Sequence, residues 1–130
     1  MKREIKFRAW DTVDKWMDNH FWVYSEGSAY DIPDKTHNTP HTEVEQKPNL
    51  IIMQYTGLKD CNGVEIYEGD ILRDDGNECL WLVGFSERGC FIAHDPDDRR
   101  DFVLLDDYEF KVLGNIYENP ELLGMDDANK

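Results

Sequence analysis

The sequence is short of cations, of paired cysteines and of long apolar runs, and each shortage excludes something. Lys and Arg number 14 against 28 Asp and Glu, a formal net charge of -14 with a sequence pI near 4.5. Ordinary nucleic-acid binding rests on a basic footprint that displaces counterions from phosphate, and none is visible. The three cysteines, Cys61, Cys79 and Cys90, are odd in number and widely spaced. No disulfide framework follows, and no Cys-x-x-Cys or Cys/His spacing suits zinc. They read as three reduced, mostly buried thiols of a cytoplasmic protein. No apolar run approaches the ~20 residues of a membrane helix. The opening MKREIKFRAWD has no apolar core of the signal-peptide kind. The glycines are scattered as turn residues and form no phosphate-cradling loop.

What is present is aromatic and β-forming. Four Trp, six Tyr and six Phe accompany a hydrophobic fraction of 40%. That composition favours strands over a helical bundle and is far from a disordered one. A chain of 130 residues suits one compact domain, or one domain with a small appendage, and needs no disulfide or metal to fold.

Residues 4–11, EIKFRAWD, alternate in strand fashion, with Ile5, Phe7 and Ala9 on one face and Lys6, Arg8 and Trp10 on the other. Asp11 to Lys15 read as a turn. Trp16, Met17 and the run from His20 to Tyr24 read as one aromatic strand that closes an N-terminal hairpin. Residues 25–48 are polar, hold three of the five prolines and show no period, so they read as a long surface loop.

From Asn49 onward short apolar runs alternate with turn signals: NLIIMQY, VEIYEGDILR, CLWLVGFS, CFIAHD, FVLL and FKVLGNIY. Asn62-Gly63 is a tight-turn pair. Gly89 sits where a four-residue hairpin loop needs a left-handed residue. Asn119, Pro120 and Gly124 bracket a short helix as cap, first residue and stop. The fold class expected is mainly β: a small bent sheet or SH3-like barrel, with an N-terminal hairpin and a short C-terminal helix. Its expected divisions are a hairpin region at 1–30, a polar loop at 31–48, a barrel-like core at 49–124 and a frayed tail at 125–130.

Chemistry-bearing candidates are few. Asp70, inside GVEIYEGDILR, is out of place in an apolar run unless Gly69 bends the strand and the carboxylate accepts backbone N–H groups there. Val64 and Ile66 then face the core before the bend, and one of Ile71 or Leu72 does after it. Asp95, Asp97, Asp98 and Asp101 form the densest carboxylate cluster. It lacks the order of a calcium loop and contains Arg99 and Arg100, so it reads as a solvated turn. His37 and His41 are separated by Asn38-Thr39-Pro40, which breaks the helical register a metal pair needs. Ser25, Ser28 and Ser86 have no nucleophile-elbow context. No catalytic, cofactor-binding or metal residues are assigned, and no enzyme activity is expected.

Three segments, REIKFRAWD, QYTGLKDCNGVEIYEGDIL and VLGNIYENPELL, together resemble the YopX-like family of bacteriophage and prophage proteins. They lie at both ends and in the middle of the chain. Residues 25–48 and 86–101 depart freely, and Cys61 stands where Lys or Glu is the more expected residue. The resemblance implies a phage or prophage product in a bacterial cytoplasm, with a mostly β fold and no assigned activity.

The functional expectation is a non-enzymatic accessory protein that acts through protein contacts and self-associates, because an aromatic hairpin must pack on something. The alternative is an acidic mimic that occupies a host DNA- or RNA-binding protein. Residues 57–130 motivate it, with 7 Lys/Arg against 19 Asp/Glu. A carboxylate metal enzyme and a nucleic-acid-binding small barrel, carried by Lys2, Arg3, Lys6 and Arg8, stand behind both.

Overall fold

A computed structural model of the chain describes residues 4–19, 21–23, 29–31, 49–74, 76, 79–97, 101–106 and 109–124, the segments 21–23 and 29–31 as backbone only. Among the described residues eleven strands follow in order: β1 (Phe7–Asp11), β2 (Trp16–Asp18), β3 (Phe21–Val23), β4 (Ala29–Asp31), β5 (Leu50–Lys59), β6 (Glu65–Tyr67), β7 (Asp70–Asp74), β8 (Leu80–Phe85), β9 (Phe91–His94), β10 (Val103–Leu104) and β11 (Phe110–Asn115). A 3-10 helix at Pro120–Leu123 follows. The protein is essentially all-β.

The chain divides into two compact units, Met1–Lys6 with Gln54–Lys130, and Phe7–Met53. The division falls within β5.

In the unit Phe7–Met53, β1 pairs antiparallel with β2, Trp10 opposite Met17. Asp11 closes the turn between them. Its Oδ1 accepts the N–H groups of Val13 at 2.9 Å and Asp14 at 2.8 Å, and Asn49 Nδ2 donates to it at 2.6 Å. The expected alternation of β1 fails: Phe7 is exposed while Ala9, Trp10 and Asp11 are buried in succession. Successive side chains point to opposite faces, so the end of β1 is covered on both. The single aromatic strand expected at 16–24 is two strands. β3 leaves β2 and pairs with β4, Trp22 opposite Tyr30, so a strand occupies part of the segment read as loop. Residues 32–48 lie outside the described residues.

In the larger unit, β10-β9-β8-β7-β11 form an antiparallel sheet that curls into a half-barrel. Leu72, Trp81, Val83, Ala93 and Phe110 lie on its inner face and make the core with Ile66 and Leu105. Trp81 meets Phe110 edge-on, centroids 6.5 Å apart. Each fully buried large apolar side chain contributes about 1.5–3 kcal/mol, so this cluster dominates the unit's stability.

The bend in GVEIYEGDILR is as the sequence implies. Gly69 has φ 84°, a conformation an L side chain resists. Its N–H donates to Val83 O and its carbonyl accepts from Ile116 N–H, both at 3.0 Å. Asp70, buried, accepts the Tyr67 N–H at 2.7 Å. The expected core residues need two corrections. Val64 is 47% exposed, because its N–H and carbonyl are both committed to Asp60 in the preceding turn. Ile71 and Leu72 are both fully buried, because β7 lies between β8 and β11 and its start is covered on both faces.

β5 is bulged opposite β6. Tyr55 faces Tyr67 and Lys59 faces Glu65, so three residues of β5 oppose Ile66. Gly57, at φ 89°, takes the bulge conformation. The Ser86–Gly89 loop closes as expected, with Gly89 at φ 87° and Ser86 N–H donating to Cys90 O at 2.7 Å.

The C-terminal element begins with Pro120 and ends at left-handed Gly124, as expected. It is a 3-10 turn, and Asn119 does not cap it. The Asn119 side chain turns back instead to accept Asn115 N–H at 3.2 Å.

Candidate functional site

Asp60, Asn115 and Glu68 stand at turns, and their bonds go largely to backbone. Asp60 ends β5. Its Oδ1 accepts the N–H groups of Asn62 at 2.8 Å and Val64 at 2.9 Å, while Oδ2 accepts Val112 N–H of β11 at 2.9 Å. Burial works against its ionised form. The N–H donors of Val112, Val64 and Asn62, with the Lys111 charge, outweigh that, and the carboxyl sits below its ordinary value. Asn115, at the end of β11, accepts Tyr117 N–H at 3.0 Å and Glu118 N–H at 2.8 Å through Oδ1, and its Nδ2 donates to Glu118. Glu68 Oε1 accepts Gln54 N–H at 2.8 Å. These are acceptors for otherwise orphaned donors.

A charged and aromatic cluster lies where β5 meets β6. Lys6 pairs with Glu4 at 2.9 Å and with Glu65, and stands 5.5 Å above the Tyr55 ring. Tyr55 and Tyr67 lie 5.4 Å apart. The hydrogen bond to Glu65 and that to Glu4 push the Lys6 ammonium well above its ordinary value. Burial raises the Tyr55 phenol, the Glu65 and Glu4 charges raise it further, and Lys6 opposes them.

A cleft of about 430 Å³ lies in the larger unit. Leu58, Lys59, Asp60 and Cys61 line it from one segment of the chain, Leu105, Asp106, Glu109 and Phe110 from another, and Ile66 completes the lining. A hydrogen bond from Cys61 N–H to Phe110 O at 3.1 Å joins the two segments.

The candidates from sequence are dispersed. Asp70 is a buried turn acceptor. Asp95 Oδ1 accepts Asp97 N–H at 2.9 Å across Pro96, which makes a local turn of the start of the acidic cluster, and Asp98 lies outside the described residues. Among the described residues no three His, Cys, Asp or Glu side chains gather as metal ligands. Ser86 Oγ accepts Arg88 N–H at 3.1 Å within its loop. His37, His41, Ser25, Ser28, Lys2 and Arg3 lie outside the described residues. The three cysteines are free, but Cys61 and Cys90 are exposed and Cys79 is half-buried. This corrects the expectation of mostly buried thiols: Cys61 sits in the Asp60–Gly63 turn, and Cys90 closes the Ser86–Gly89 loop. No helix among the described residues is long and apolar enough to cross a membrane.

The cleft had no sequence signal, because these two segments are separated by more than forty residues. The partial sign was a turn, Asp60-Cys61-Asn62-Gly63, whose carboxylate also serves a distant strand.

Fold and geometry together define a small all-β protein in which the buried carboxylates of Asp11, Asp60, Asp70 and Asp95 shape turns. The family model described as YopX protein matches residues 6–124, and the chain belongs to that family. The crystal structure of protein EF1440 from Enterococcus faecalis is similar, at 31% identity and a TM-score of 0.62, over 94% of this chain and 99% of that one. No curated protein matches.

Proposed function

We propose that the protein is a non-enzymatic accessory component, encoded by a phage or prophage and working in the bacterial cytoplasm, that acts by protein–protein contact and self-associates. One observation carries this reading. The half-barrel sheet ends on the two-residue strand β10, and the apolar side chains there, Phe102 at 50% and Leu104 at 43%, are exposed. A sheet edge offers unpaired N–H and C=O groups to another chain, and apolar side chains beside it favour that pairing. Asp101 and Asp106 flank the edge as charges that limit indiscriminate pairing.

Sedimentation velocity over a wide concentration range tests self-association. The expected result is a mass above the monomer that returns to monomer in Leu104→Lys. A monomer at every concentration removes that clause.

The acidic-mimic reading is favoured by the charge of residues 57–130 and weakened by burial of Asp60, Asp70 and Asp95 within that stretch. Affinity capture from the bacterial host at low and moderate salt separates the two readings. A basic host protein held only at low salt supports mimicry, since exposed charges are screened. A salt-resistant partner supports contact through apolar surface.

A further inference from the structure

We propose that the cleft lined by Leu58, Lys59, Asp60 and Cys61 and by Leu105, Asp106, Glu109 and Phe110 docks a basic peptide segment of a partner protein, anchored by one bulky apolar side chain. The inference rests on the protein-contact reading above and assigns that contact a place and a chemistry.

Size sets the first limit. At about 430 Å³ the cleft lies in the lower part of the range of binding cavities. It accommodates one or two large side chains and no folded element. The floor sets the second. Ile66, Leu105 and Phe110 are nearly inaccessible and present apolar atoms, while Leu58 forms a partly exposed wall. A floor of this kind favours an aromatic or branched aliphatic anchor.

Charge sets the third. Three carboxylates, Asp60, Asp106 and Glu109, line the cleft against one ammonium, Lys59. Lys59 is also opposed across the strand pair by Glu65. The two oxygens of Asp60 are occupied by N–H donors and Lys111 acts on it as well, so the uncompensated negative charge of the cleft rests on Asp106 and Glu109. Asp106 and Glu109 are exposed and able to reorient. The potential therefore favours Lys or Arg beside the anchor and opposes acidic segments and nucleic-acid phosphate.

Cys61 provides a reporter, since its thiol is exposed at the cleft. The test starts from a library of random linear peptides displayed on phage and selected on the full chain. Peptides with an aromatic or branched apolar residue next to Lys or Arg should be enriched. A synthetic peptide of that class should bind at least tenfold more weakly to Asp106→Lys/Glu109→Lys. It should also slow alkylation of Cys61 several-fold in a Cys79→Ser/Cys90→Ser background. That second readout uses no charge variant and stands if the double reversal fails to fold. Failure to enrich this class, binding unchanged by charge reversal, or an unprotected Cys61 would each overturn the proposal. Affinity capture with the wild type and the double reversal separates the two levels of inference. A partner held equally by both leaves the protein-contact reading standing and removes this cleft from it. Absence of both partner and self-association removes the reading itself.

Discussion

Asp60 and Val112 are joined across 52 residues of chain by a single hydrogen bond, from the Val112 N–H to the carboxylate Oδ2 at 2.9 Å. The same carboxylate shapes the turn that follows it. One side chain thus fixes the turn after β5 and holds it to β11, at the strand with the bulge between Val112 and Gly114.

Asp60→Ala strands three backbone donors, and each buried unsatisfied group costs ~1–3 kcal/mol. With partial rescue by water at an edge-lying site, the expected loss is about 3 kcal/mol by urea denaturation. Asp60→Asn should lose less, since its amide carbonyl still accepts. The pH dependence has a definite sign. The folded carboxyl titrates below its ordinary value of 3.8. Its stabilisation is complete above that value and is lost as pH falls through the lower folded value. Wild type should therefore lose more stability than Asp60→Asn between neutral pH and strong acid. Parallel loss in the two proteins would contradict the assignment.

Gly114 and Asn119 are matched in the same way. A Cβ on Gly114 would lie 3.1 Å from the Asn119 Cβ and closer still to its amide carbon and oxygen. Gly114→Ala should cost about 1–3 kcal/mol, the range for overpacking. Adding Asn119→Gly removes the obstructing side chain, so the double variant should be more stable than the sum of the single losses predicts. Additive losses in thermal or urea unfolding would show that the contact is relieved by other means.

Tyr55 reports on the charge cluster. Burial, Glu65 and Glu4 raise its phenol pKa and Lys6 lowers it. Ultraviolet titration should place tyrosinate formation lower in Glu65→Gln than in wild type, and higher in Lys6→Met. A Tyr67→Phe background removes the neighbouring phenol from the signal. Identical curves in all three proteins would mean that the cluster is dispersed in solution.

The thiols should separate by rate. In the native protein Cys61 and Cys90 should react with a chromogenic disulfide reagent well before Cys79. In denaturant all three should react together. Mass mapping of the modified peptides assigns the order.

Local chemistry was legible wherever one residue type has one dominant use. Gly69 before Asp70, Gly63 after Asn62, Gly89 in its loop and the Pro120–Gly124 bracket each act within a few residues of themselves. Backbone sterics and short-range hydrogen bonds decide such features before any packing. The strand-rich class was legible from the short apolar runs for the same reason. The faces of strands were less so. Val64, Phe7 and Ile71 carry the right residue type for the core, yet two are exposed and the third is buried on the face opposite Leu72. Period alone does not say which faces of a strand are covered.

The sequence by itself determined the β class, the family motifs, the turns and the acidic balance, since these follow from residue identity and near neighbours. Only the tertiary structure decided that Asp60 serves Val112 and that Cys61 and Glu109 line one cleft. Each of these joins residues that strand pairing brings together from distant parts of the chain. Such pairing is selected by burial of the whole sheet, a sum over many side chains that no short window of sequence contains.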